Sequence, residues 1–258
     1  MEERSPVEAG LKFFLALKYV SLFLCGNLQN LFRCEHDLTQ QFMDFFSTDQ
    51  TLLKICGVRT EADAQGLIDL GVDAAGFNFW PNSKRYLNPK DAAWLKYIGG
   101  KILRVGVFVN QPENLALQLI SEGMIDVVQL HGDEDPATAA IFTKAGIKVI
   151  KAIGVRNSAD IERAGDFEVD AILLDAHAPV VFGGTGETFD WSLALDFKKR
   201  FPNTSTILAG GINSDNAAMA ISQVQPAALD IASGAESSPG VKDFTKVKKL
   251  LEACRRVL

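Results

Sequence analysis

From residue 51 onward, short runs of apolar and β-branched residues alternate with stretches whose apolar positions return every three to four residues. The runs begin near Leu52 (LLKIC), Ala74 (AAGFNF), Leu103 (LRVGVFV), Asp126 (DVVQL), Lys148 (KVIKAI), Ala171 (AILLD), Thr206 (TILAG) and Leu229 (LDIAS). Their length and composition predict buried strands, and Glu61–Leu70, Pro112–Glu122 and Asp215–Ser222 predict amphipathic helices between them. Successive runs start 22, 29, 23, 22, 23, 35 and 23 residues apart. Alternation at that spacing predicts βα units and a parallel sheet. Eight units across residues 51–258 fit a compact (β/α)8 barrel, the TIM-barrel class of α/β folds. An open doubly wound sheet is the alternative, but it usually has fewer strands and a glycine fingerprint after the first. Here the first strand ends in Cys56-Gly57, with no GxGxxG.

The 35-residue interval follows the sixth strand, where HAPVVFGGTGETFDW precedes a helix starting near Ser192. A loop this long, with glycines at 183, 184 and 186, predicts a mobile lid, the alternative being a disordered insertion.

In a barrel of this class, chemistry sits at the carboxyl ends of the strands. Alternation along the first strand puts Leu53 and Ile55 on the outer face and Lys54 and Cys56 on the inner one, with Cys56 at the mouth. The sixth run ends in Asp175 after three apolar residues. A thiolate can remove a carbon-bound proton and a carboxylic acid can protonate a leaving oxygen, although a buried cysteine or an ordinary ion pair would give the same pattern. A free thiol ionises near 8.5, so a base role for Cys56 needs local positive charge. Lys54 could supply it, or could instead pair with an acidic residue inside the barrel.

The seventh and eighth strands end in AGGIN (Gly210, Gly211) and ASGAE (Ser233, Gly234). Glycines let backbone N–H groups approach a phosphate, and this is where such barrels commonly hold one. Arg85, in the WPNSKRY loop after the second strand, suits a two-pronged grip on a carboxylate, or is a solvated surface arginine. Gln129 and His131 end the fourth strand; of the two readings of His131, hydrogen bonding within its loop is preferred to lining the site.

Composition narrows the classes. The chain is 47% apolar and 22% charged, which excludes a disordered or fibrous protein. A net charge of −6 argues against a nucleic-acid binder. Cys25, Cys34, Cys56 and Cys254 form no CxxC pair, and His36, His131 and His177 are scattered, so neither a zinc site nor a disulfide framework is expected. The pattern fits free thiols in the cytoplasm. Residues 1–50 differ from the rest, with 7 of the 17 phenylalanines and 2 of the 21 glycines. The apolar run at 11–24 is interrupted by Lys18 and is too short to span a membrane. Residues 1–50 are therefore read as an N-terminal extension, Met43 being an alternative start, and 51–258 as the catalytic barrel.

The segments KICGVRT, GFNFWPNSKRY, VQLHGDE, LLDA with GGTGETFDW, LAGGIN and DIASGAESSPGVKD together resemble the phosphoribosylanthranilate isomerase family, in order from about Leu53 to Val247. The resemblance implies a (β/α)8 barrel that performs an Amadori rearrangement in tryptophan biosynthesis with no metal or organic cofactor. It implies Cys56 as general base, Asp175 as general acid, and Arg85 as the group binding the anthranilate carboxylate. It further implies Gly211, Ser233 and Gly234 in the phosphate loops, and Gly184 and Gly186 in the lid. Lys84, where proline is common, and Asn78, in a strand usually apolar there, depart from the pattern. The expected partner is a small phosphosugar, acted on by a monomer or homodimer, with neither nucleic acid nor membrane involved. Two other readings stand beside it. One is a related barrel isomerase of the histidine pathway, which would carry aspartate where this chain has Cys56. The other is a barrel that binds phosphosugars without catalysis.

Overall fold

Strand β1 (Leu52–Cys56) carries the alternation that its sequence requires. Leu53 and Ile55 are buried in the apolar layer packed against helices, while Lys54 is buried on the opposite face. Helix α1 (Glu61–Leu70) starts where the Thr60 side chain accepts a hydrogen bond from the Asp63 N–H, and stops at Gly71, whose φ is 75°. It buries Ala64 and Leu67. The same grammar repeats through β2 (Ala74–Asn78), β3 (Leu103–Phe108), α2 (Glu113–Ser121), β4 (Val127–Leu130) and α3 (Pro136–Lys144). It continues in β5 (Lys148–Val155), α4 (Ser158–Ala164), β6 (Ala171–Ala176), α5 (Ser192–Arg200), β7 (Ser205–Leu208), α6 (Ala217–Val224) and β8 (Ala228–Ile231). A short hairpin of β9 (Glu236–Ser238) and β10 (Val241–Lys242) precedes the last helix, α7 (Phe244–Arg256). Each of the first eight strands begins within one residue of its expected position.

This computed structural model describes residues 45–46, 50–176 and 190–256. The expected lid with Gly184 and Gly186, and the apolar run at 11–24, lie outside the described residues. The chain divides into two units, Met1–Phe42 and Met43–Leu258, of which the second contains every element named above.

Strands β1 to β8 pair in parallel with their sequence neighbours and close into a barrel through β1 and β8, in the register Leu53↔Leu229 and Lys54↔Asp230. The sheet has no edge, which answers the open-sheet alternative. Phe77, Val128, Val149, Ile172, Leu174, Leu208 and Leu229 join Leu53 and Ile55 in the layer between strands and helices. Val105, Val127, Ile150, Leu173 and Ile207 are buried on the intervening positions and fill the interior. That parity also turns Cys56, Gln129, Asp175 and Asp230 inward.

The second crossover departs from the pattern. Between β2 and β3 the chain forms two 3₁₀ turns, Pro89–Asp91 and Ala93–Ile98, instead of an α-helix. The Asn88 side chain caps the first turn, with Pro89 behind it, and Gly99-Gly100 follows the second. Leu95 and Ile98 still reach the core, and Trp94 meets Phe77 edge-on at 5.8 Å between centroids.

Candidate active site

A cavity of about 750 Å³ opens at the carboxyl ends of the strands. Cys56 at the end of β1 and Asp175 near the end of β6 both line it, as do Arg85, His131, Gly211 and Ser233. The two residues nominated by strand alternation therefore face one space.

Cys56 is partly exposed to that space and lies in a field of opposing charges. Burial pushes its thiol above the ordinary range and Asp230 adds to this, while Lys54, Lys242 and Arg85 pull the other way. Lys54 Nζ donates to Asp230 Oδ1 at 2.7 Å, with the lysine side chain fully enclosed. Burial alone would favour its neutral amine, but Asp230 and Cys56 outweigh burial and hold Lys54 above the usual lysine range. Of the two sequence readings of Lys54, the pairing with an acid inside the barrel is observed.

Asp175 meets His131, whose Nε2 lies 3.3 Å from Asp175 Oδ2. Gln129, buried in the barrel interior, holds the other ring nitrogen, with its Nε2 2.7 Å from His131 Nδ1. With Nδ1 accepting from the Gln129 amide, the ring proton sits on Nε2, the nitrogen facing the Asp175 carboxyl group. Gly210 makes room beside the acid: its φ is 80°, and a Cβ there would stand 2.9 Å from Asp175 Oδ1 and 2.5 Å from the Ala176 nitrogen.

Arg85 is not a solvated surface arginine. Its Nε donates to Glu236 Oε1 at 2.9 Å and its Nη2 to Oε2 at 2.7 Å. Glu236 Oε1 also accepts from Lys242 Nζ at 2.7 Å, and the same amine donates to the Cys56 carbonyl at 2.6 Å. Burial opposes ionisation of Glu236, but Arg85 and Lys242 prevail and keep its carboxyl below the usual range. Gly57, with φ 76°, lies directly under the arginine's aliphatic stem, where any Cβ would overlap Arg85 Cδ.

Of the expected phosphate-loop residues, Gly211 and Ser233 line the cavity. Ser233 opens a 3₁₀ turn, Ser233–Ala235. Gly234 packs against the Ile212 backbone, where a side chain would overlap the carbonyl oxygen. Among the described residues, no three His, Cys, Asp or Glu side chains gather where they could hold a metal ion, and no helix is long and apolar enough to cross a membrane.

Sequence reasoning ranked His131 as a loop residue, but it reaches Asp175. It also passed over Asp230, Glu236 and Lys242. Asp230 was detectable as a charge at an inward position of an apolar run, DIAS. Glu236 and Lys242 sit in a turn-rich stretch whose composition resembles any polar surface loop.

A family model described as N-(5'phosphoribosyl)anthranilate (PRA) isomerase matches residues 53–253. The N-(5'-phosphoribosyl)anthranilate isomerase of Thermotoga maritima is 42% identical over 201 residues, which cover 78% of this chain and 96% of that protein. The crystal structure of phosphoribosyl anthranilate isomerase from Thermotoga maritima superposes with a TM-score of 0.72 at 39% identity, covering 80% of this chain and 98% of that one. Another crystal structure is of a phosphoribosyl anthranilate isomerase in complex with reduced 1-(o-carboxyphenylamino)-1-deoxyribulose 5-phosphate. It gives a TM-score of 0.69 at 38% identity, with 80% and 98% covered.

Proposed function

The chain belongs to the N-(5'-phosphoribosyl)anthranilate isomerase family, and from that membership we propose how its residues divide the reaction. The protein is an isomerase of tryptophan biosynthesis, converting N-(5'-phosphoribosyl)anthranilate to 1-(2-carboxyphenylamino)-1-deoxyribulose 5-phosphate. In our reading Asp175 is the general acid, Cys56 the general base and Arg85 the clamp on the anthranilate carboxylate. Gly211, Ser233 and Gly234 belong to the phosphate loops, and Gly184 and Gly186, outside the described residues, are read as substrate-binding.

Asp175, protonated, gives its proton to the ribose ring oxygen. The C1–O bond breaks and the anthranilate nitrogen becomes an iminium. The Cys56 thiolate then takes the proton from C2, and the C–H electron pair flows toward the iminium nitrogen to give an enolamine. Tautomerisation of the enolamine yields the ketone. The iminium serves as the electron sink. An acid and a base in position contribute roughly 10²–10⁴-fold each. A thiol pushed up by burial is a strong base once ionised, and Lys54, Lys242 and Arg85 supply the positive field that lets it ionise.

The observation that carries this reading is that Cys56 and Asp175, from strands on different parts of the barrel wall, line one cavity with Arg85. The catalytic domain is taken as residues 51–258, with 1–50 as an extension. The enzyme is read as cytoplasmic, a monomer or homodimer acting on a small phosphosugar. The test is turnover of phosphoribosylanthranilate by the purified chain, followed through loss of anthranilate fluorescence. Cys56→Ala and Asp175→Asn are each expected to lower kcat by more than about 10²-fold with little change in thermal stability. Wild-type turnover in either variant would remove that residue from its role. Turnover of the histidine-pathway aminoaldose alone would replace the assigned substrate.

A further inference from the structure

We infer that Glu236 is the positioning residue of the carboxylate clamp: it fixes the Arg85 guanidinium so that one edge is spent within the protein and the other is presented to the ligand. The inference rests on the reading of Arg85 given above and extends it to a residue that does not line the cavity.

Geometry is the first ground. A guanidinium has two edges able to grip a carboxylate, one formed by Nε and Nη2 and the other by Nη1 and Nη2. Glu236 takes the first, with its oxygens 2.9 and 3.2 Å from Nε and 2.7 Å from Nη2. Nη1 has no acceptor among the described residues. The stem cannot swing toward β1 without meeting the Gly57 backbone. Glu236 is itself held: Lys242 Nζ binds its Oε1 at 2.7 Å, and Lys246 Nζ donates to its backbone carbonyl at 2.7 Å. Its side chain is only 3% exposed.

Charge is the second ground, and it bears on what the free edge takes rather than on how Glu236 aims it. The cluster holds two cations, Arg85 and Lys242, around one carboxylate, and neither cation has another acidic partner among the described residues. One positive charge is left over at the wall of a partly enclosed cavity, where an uncompensated charge is costly. A ligand carboxylate on the free edge of Arg85 brings the cluster to two against two. Lys242 also holds the Cys56 carbonyl, so the clamp and the backbone of the base share one rigid frame.

Geometry and simple charge attraction predict opposite outcomes when Glu236 is neutralised, which makes the test decisive. The probes are the reduced aminodeoxyribulose phosphate carrying the o-carboxyphenyl group and the same compound with a plain phenyl group, titrated calorimetrically into the full chain. The wild type should prefer the carboxylate-bearing probe by about 10- to 100-fold. Glu236→Gln should cut that preference to about 3-fold or less and leave the phenyl probe's affinity unchanged, with KM for phosphoribosylanthranilate raised and kcat nearly retained. If Glu236→Gln does not fold, Glu236→Gln with Lys242→Met removes one charge of each sign, and the same loss of preference is expected. Arg85→Ala is the control for the clamp itself. A preference that is unchanged or increased in the Glu236 variants, while Arg85→Ala abolishes it, overturns the inference. A preference that survives Arg85→Ala overturns the clamp reading instead.

Discussion

His131 Nε2 stands 3.3 Å from Asp175 Oδ2, joining the end of β4 to the end of β6 across the mouth of the barrel. Gln129, on the same strand as the approach to His131, fixes the far side of the ring. An acid that gives up a proton and regains it each cycle, as proposed for Asp175, benefits from a neighbour able either to donate or to accept, and an imidazole nitrogen can do either according to its tautomer. His131→Asn should therefore lower kcat by about 10- to 100-fold, the equivalent of one hydrogen bond to a charged group, with KM little changed. Steady-state kinetics check this, and an unaltered kcat would return His131 to a purely local role.

The Cys56 thiol should ionise at higher pH than a free one. Burial, reinforced by Asp230, raises that thiol, so in the free enzyme the thiolate is scarce at neutral pH and grows as pH rises. The sign is then fixed for the base: the thiolate fraction, followed by its ultraviolet absorbance, climbs with pH and levels off only above the ordinary thiol range of about 8.5. Lys54 is the foremost of the cations opposing the rise. Lys54→Met should move the climbing limb further alkaline. It should also lower stability by about 3–5 kcal/mol, because Asp230 is left buried without its partner. An unmoved limb would separate Lys54 from the chemistry.

Gly57→Ala tests the contact between backbone and clamp. A non-glycine residue at φ 76° costs about 1–2 kcal/mol, and the added Cβ would overlap the Arg85 stem. The expected result is a lowered melting temperature together with a higher KM, kcat staying close to wild type. A change in stability alone would mean that the arginine tolerates displacement.

Away from the site, Asp160 should make stability depend on acid. Hydrogen bonds from Arg156 hold its carboxyl down at about 2, through the backbone N–H and the guanidinium together. Its folded-state value lies below the usual 3.8, so its contribution is complete above about pH 4 and fades as pH falls toward 2. The gap in urea midpoint between wild type and Asp160→Asn should be widest at pH 5 to 7 and shrink steadily down to pH 3. A gap independent of pH would show that the carboxylate's charge is not what stabilises the start of α4.

The sequence by itself determined the eight strands, the inward parity of Cys56 and Asp175, and the glycine-rich ends of the last two strands. Each depends on residues within a few positions of one another: strand alternation has a period of two, and a turn needs its own glycine. The second crossover is likewise bounded locally, by Asn88-Pro89 before its turns and Gly99-Gly100 after them.

Only the tertiary structure decided the partners. Lys54 finds Asp230 across 176 positions and Arg85 finds Glu236 across 151, because closure of the barrel brings its first two units round to the last. No periodicity in a chain reports which of many polar loop residues will meet at that seam. The residues proposed as acid and base thus stand in short stretches of sequence, whereas the charges around the thiol and the partner of Arg85 come together only once the ring of strands is shut.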